Sequence, residues 1–144
     1  MSTEPSLDPR DRRPRRRALV GPALLVIAVV HILTTPLFYG DSVASIIDAG
    51  VLGAVDADPA LVDLRSASFW YLVAGIGLAF VGADVTWIER RWGQAPPHVG
   101  WLLLVLGCVG VVLMPVSPFW LFFVVAAMVA HSHRTRREDG SVRT

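Results

Sequence analysis

The chain contains no lysine, a single cysteine, and no basic side chain other than His31 between Arg17 and Arg65. One thiol, Cys108, cannot close an internal disulfide or supply a Cys-x-x-Cys motif, which removes thiol-disulfide membrane enzymes from consideration. Charge is scarce: 17% of the 144 residues are charged against 53% hydrophobic, with a mean hydropathy of +0.54. That balance excludes a disordered or collagen-like chain. Ser-His-Asp arrangements, Walker loops and His-Glu-x-x-His helices are missing as well. Gly75-x-Gly77 is followed by Phe80 where a nucleotide loop needs glycine, and no strand precedes it. With all 13 Lys or Arg positions filled by arginine, the composition is that of a GC-rich, bacterial genome.

What is abundant is apolar sequence, gathered into blocks long enough to cross a bilayer. The first, about residues 18–38, is free of Asp, Glu and Arg, and at the α-helical rise it extends about 31 Å, the thickness of a hydrocarbon core. Pro22 falls in its first turn, where a missing N–H is harmless, and Pro36 near its far end. The arginines before it also fit a secretory signal, but the block is long for one and Ser42-Val43-Ala44 is a poor cleavage site, so it reads as an anchor. The second block, about 67–88, opens with Phe69, Trp70 and Tyr71 and closes with Trp87, aromatic belts at both interfaces. Gly75, Ala79 and Ala83 recur every fourth residue, a stripe on which another helix can pack closely. Blocks three and four, about 99–114 and 118–131, flank Pro115-Val116-Ser117-Pro118, read as a turn between two helices.

Charge sets the topology. Residues 1–17 carry +3, residues 39–66 carry −4, Glu89-Arg90-Arg91 adds +1 and residues 132–144 carry +2. Basic residues beside membrane spans stay cytoplasmic, so four spans place both termini and the Arg90-Arg91 turn inside and the acidic connection outside. Three spans would export the basic tail. The expected fold is therefore all-α: a four-helix transmembrane bundle over residues 18–131, an arginine-rich cytoplasmic arm at 1–17 and a basic cytoplasmic tail at 132–144, in the plasma membrane. Between spans one and two, Val43, Ile46, Ile47 and Val51 fall at helical spacing after Asp41 or Ser42 as N-cap. This predicts a short amphipathic helix in the external segment. Asp58-Pro59 marks a second helix start.

Ionisable groups inside a bilayer are costly, so each is a functional candidate. His31 lies in the outer half of span one, level with Thr34, Thr35 and Tyr71, and the turn bearing Trp120 shares that end. These five form the candidate ligand site, either a satisfied histidine that pins two helices or a polar spot that binds an amphiphile or relays a proton. Asp84, near the inner end of span two, shares a level with His98 and His131, an expected inner-face polar cluster. No metal site and no cofactor are expected from these residues, because His131-x-His133 points two ways on a helix. The expected partners are the lipid bilayer, with anionic inner-leaflet lipid at the arginine clusters, and a second copy of the chain as an open option. Nucleic acid is not among them.

With the spans placed, His31 late in the first, Ser68-Phe69-Trp70-Tyr71-Leu72 opening the second, Gly100-Trp101-Leu102, and Met114-Pro115-Val116-Ser117-Pro118-Phe119-Trp120-Leu121 form a recognisable pattern. Over residues 18–131 the chain resembles a family of small uncharacterised bacterial four-span integral membrane proteins, a domain of unknown function. The resemblance implies the architecture and no activity; the long arm before Ala18 departs from the family pattern. The function expected is structural or accessory, without catalysis. The alternatives are a small-molecule or proton-coupled transporter, or a binder of an amphiphile near His31. Small multidrug exporters place a glutamate in their first span, where this chain has none.

Overall fold

The structure, a computed structural model, describes residues 19–141 as four α-helices, with no strand among them. They are α1 (Val20–Asp48), α2 (Val62–Trp92), α3 (Pro97–Leu113) and α4 (Trp120–Ser141). The arginine-rich arm at 1–17 lies outside the described residues, as do Val142, Arg143 and Thr144. Two helices, α1 and α2, are long and apolar enough to cross a membrane. The apolar α3 is shorter, with 17 residues.

Helix α1 does not stop at Phe38. Its 29 residues run about 43 Å at the helical rise. Pro36 lies inside it, and Tyr39, at φ −132° and ψ 26°, breaks the regular backbone. The helix expected in the external segment is thus the continuation of α1 beyond a kink. Ser42 does not cap it, because its side chain is turned inward against α2 (below). Helix α2 ends at Gly93, whose φ of 78° is the left-handed conformation glycine adopts without penalty, and the Gly93 N–H donates to the Glu89 carbonyl (2.8 Å). After α3 the chain reverses through turns at Met114–Ser117 and Pro118–Leu121, so the two prolines separate an antiparallel helix pair.

Packing between α1 and α2 follows a repeat of seven. Gly21, Ala28, Thr35 and Ser42 are buried on one helix, and Ser68, Gly75, Gly82 and Glu89 are buried on the other. Run antiparallel, Gly21 meets Glu89 and Ser42 meets Ser68. A seven-residue period keeps one seam facing its partner along the whole pair, and small side chains in it bring the backbones together. A Cβ placed on Gly82 would come within 2.9 Å of the Leu25 nitrogen, and one on Gly75 within 2.8 Å of Ile32 Cγ1. The four-residue stripe expected from Gly75, Ala79 and Ala83 is not the contact: Ala83 is exposed, because a period of four drifts off the seam within two turns. The α3–α4 pair uses the same device, with Gly100 against Val129, Gly107 against Phe123 and Gly110 against Phe119.

The two hairpins meet along α1 and α4, while α2 does not approach α3 or α4, nor α1 approach α3, within 8 Å between backbones. The helices therefore stand in the order α2, α1, α4, α3. A single core cluster joins them at one end, from Val20 and Leu24 through Val85, Ala95, Val99 and Leu103 to Val125 and Val129. At the other end α1 and α2 run on past the reach of α3, whose length is about 25 Å.

This seam predicts a contrast between two glycines of α2. Gly82→Ala pushes a methyl against backbone and should cost about 1–3 kcal/mol. Gly77→Ala, with no atom within 4 Å of the new carbon, should be neutral or stabilising by up to about 1 kcal/mol. Thermal unfolding in detergent followed by circular dichroism separates them. Equal losses in both variants would show that the hairpin does not depend on the seam.

Candidate functional site

Polar groups gather at three levels of the α1–α2 pair. At the end where α1 begins, the helix has no capping side chain of its own. Glu89, buried to 6% exposure, reaches across and accepts from the Val20 N–H (3.2 Å) and the Gly21 N–H (2.8 Å). A carboxylate in the last turn of its own helix opposes the helix dipole, but beside the first turn of α1 the sign is favourable. Nearby, His133 Nε2–H donates to the Ala95 carbonyl (2.9 Å), tying α4 to the α2–α3 connection.

At the middle level, His31 Nε2–H donates to the Tyr71 carbonyl (3.0 Å), and the two rings stack at 3.9 Å between centroids with a 15° tilt. The Thr34 hydroxyl donates to the His31 carbonyl (2.9 Å), so at the 3.2 Å contact with Tyr71 the phenol is the donor. Thr35 is buried and its hydroxyl lies 3.5 Å from the same carbonyl. Four of the five residues expected to form a site are brought together here. Trp120 is not: its indole N–H donates to the Pro115 carbonyl (3.0 Å) within the α3–α4 turn.

The third level lies beyond the kink. Ser42 and Ser68, both buried, sit 2.8 Å apart; Ser42 Oγ also lies 3.1 Å from the Leu64 carbonyl and Ser68 Oγ 2.8 Å from the Arg65 carbonyl. Two hydroxyl protons serve three contacts. Arg65, 6% exposed, spans the bend: Nε–H donates to Ser45 Oγ (3.0 Å), Nη2–H to the Ser45 carbonyl (3.1 Å) and Nη1–H to the Ala54 carbonyl (2.6 Å). Ser45 passes the chain on by donating to the Ser42 carbonyl (2.9 Å). The guanidinium fork thus staples the end of α1, the connection and the start of α2 together. Charge counting along the chain treats Arg65 as one positive charge in an acidic segment and overlooks this role. One signal was available: a cation in the first turn of a helix opposes the dipole, as Glu89 does at the other end.

Asp84, His98 and His131 are all exposed, and among the described residues no three His, Cys, Asp or Glu side chains converge into a group that could hold a metal ion. Between the C-terminal half of α1, the connection and the first turns of α2 lies an open cavity of about 590 Å³. Thr35, Ser66 and Ser68 touch it, whereas His31, Thr34, Tyr71 and Trp120 are not among its walls. The arrangement offers hydrogen bonding and an apolar recess; no nucleophile with an adjacent base is assembled among the groups described.

The family model described as "Family of unknown function (DUF6463)" matches residues 15–136, and the chain belongs to that family. No curated protein and no solved structure matches the chain.

Two substitutions test the staple and the cap. Glu89→Ala leaves two buried N–H groups without their acceptor and should cost about 1.5–3 kcal/mol, read from the thermal midpoint. In Arg65→Lys an ammonium cannot span three acceptors on two segments, so residues 49–61 should be cut faster by proteinase K than in the native protein. An unchanged cleavage rate would mean that Arg65 does not hold the connection down.

Proposed function

We propose that this member of the DUF6463 family is a four-span integral membrane protein of the bacterial plasma membrane, structural or accessory in role and without catalysis. Both termini face the cytoplasm, and the connection between α1 and α2 faces outward. The observation that carries this reading is the surface. Large apolar side chains stand open on every helix: Leu37 is 77% exposed, Val112 78% and Trp101 69%. Water does not tolerate apolar area on this scale on a monomer, whereas lipid does. Between Leu19 and Gly40 the only ionisable side chains are His31 and Tyr39, and the imidazole N–H is bonded to a carbonyl. An exporter built on a carboxylate in this stretch has none to use.

The shortness of α3 is met by tilt or local thinning of the bilayer. The arginines before α1, in the last turn of α2 and in the C-terminal part of the chain from Arg134 face anionic inner-leaflet lipid, each worth about 1 kcal/mol near the surface. The polar residues of the α1–α2 seam then have packing roles, and the protein presents to the outside a kinked helix end held down by Arg65.

Labelling with a membrane-impermeant maleimide tests the orientation. In a Cys108→Ser background, Asp56→Cys should label on intact cells, while Thr144→Cys should label only after permeabilisation. The native Cys108, exposed midway along α3, should resist the reagent until detergent is added. Labelling of position 144 from outside would overturn the four-span reading.

A further inference from the structure

The cavity of about 590 Å³ lies within the size range of small-ligand pockets. Its walls come from Val43, Ile46 and Ile47 on the last turns of α1 and from Phe69, Trp70 and Leu72 on α2. At its edge stands Asp56, exposed like Asp48 and Asp63 and, like them, bonded to no described residue, but alone of the three in lining the recess. Neighbouring Asp58 differs, since it accepts from the Ala60 N–H (2.9 Å). Among the described residues the cation of this region, Arg65, is buried with its N–H groups on Ser45 and Ala54 and does not line the cavity. The recess is therefore apolar in its walls and negative at its rim, with an aromatic ring in the wall.

The geometry points to a binding groove for a diffusible organic cation with an apolar body, an alkyl or aryl ammonium compound. Asp56 pairs with the positive head, and the Trp70 ring adds a cation–π surface. The hydrocarbon part lies between the α1 and α2 walls. A compound whose charge is only positive suits this rim better than bilayer phospholipid, which brings a phosphate against Asp56 and the exposed Asp48 and Asp63 even where it also carries an ammonium. A second copy of the chain would bring five aspartates of residues 41–63 against five. This goes beyond the proposed membrane role and does not depend on which way the chain lies in the membrane.

The test titrates the full-length protein in micelles of the uncharged detergent dodecyl maltoside with decyltrimethylammonium, by calorimetry, with protein-free micelles as the blank. One saturable site per chain is expected. Asp56→Asn should weaken it about tenfold, and Asp48→Asn, outside the cavity, should leave it unchanged. Ile46→Trp, which fills the recess, should abolish it. Decyl sulfate should show no saturable binding. Equal affinity in Asp56→Asn, or decyl sulfate binding as tightly, would overturn the assignment and mark the groove as a seat for a lipid tail or a second copy. Because the readout is binding to isolated protein, its failure would leave the maleimide topology result standing, and the reverse also holds.

Discussion

Two helix backbones can approach closely only where side chains are small, and in this chain that condition recurs every seventh residue on both members of the first hairpin. Gly21, Ala28, Thr35 and Ser42 meet Ser68, Gly75, Gly82 and Glu89. The period keeps the contact from drifting round either helix over the about 32 Å from Gly21 to Ser42. It also fixes the register, since shifting one helix by a turn would drive Leu24 or His31 into glycine positions. Everything polar in the hairpin is then placed by that register. The Glu89 carboxylate falls beside the open N-terminus of α1, Tyr71 beside His31, and the Ser68 hydroxyl beside Ser42.

The two ends of this seam solve opposite electrostatic problems with the same kind of answer. Glu89 stands in the last turn of α2 and Arg65 in the first, each of the wrong sign for its own helix dipole. Each is used by something else. Glu89 satisfies two N–H groups that α1 leaves open, and Arg65 satisfies oxygens of α1 and of the connection. Burying a charge is unfavourable without such bonds, and three hydrogen bonds to neutral oxygens compensate the guanidinium. In doing so they fold residues 49–61 back over the helix ends, where Val51 is held at a φ of 68° that a β-branched residue rarely adopts. The recess lies under that connection, which Arg65 ties to both helices.

The functional reading follows from what is left over. Glu89, His31, Tyr71, Ser42, Ser68 and Arg65 each hold two segments together, which fits a structural or accessory protein. Asp56 and Ser66 at the rim of the recess are not engaged. A carboxylate with no internal partner beside an apolar hollow is the part of the molecule that looks outward for a ligand.

Much of the architecture was legible along the chain because it rests on one-dimensional quantities. Hydropathy runs located four helices, and paired prolines located the α3–α4 reversal. Helical rise alone put His31, Thr34, Thr35 and Tyr71 at one level, since depth along antiparallel helices is a matter of counting. Azimuth is not. Which face of α2 is buried depends on the partner's surface, so Gly75, Ala79 and Ala83 looked as good a stripe as Ser68, Gly75 and Gly82 until α1 was set against it. The same holds for Trp120, expected at the level of the polar cluster but turned into its own loop, and for Arg65 and Glu89, whose partners lie 20 and 68 residues away in sequence. The amino-acid order by itself determined where the four apolar helical stretches lie and how far along its helix each side chain stands, because both are local sums. Which side chains touch was decided only when the helices packed, because a contact is a property of two surfaces.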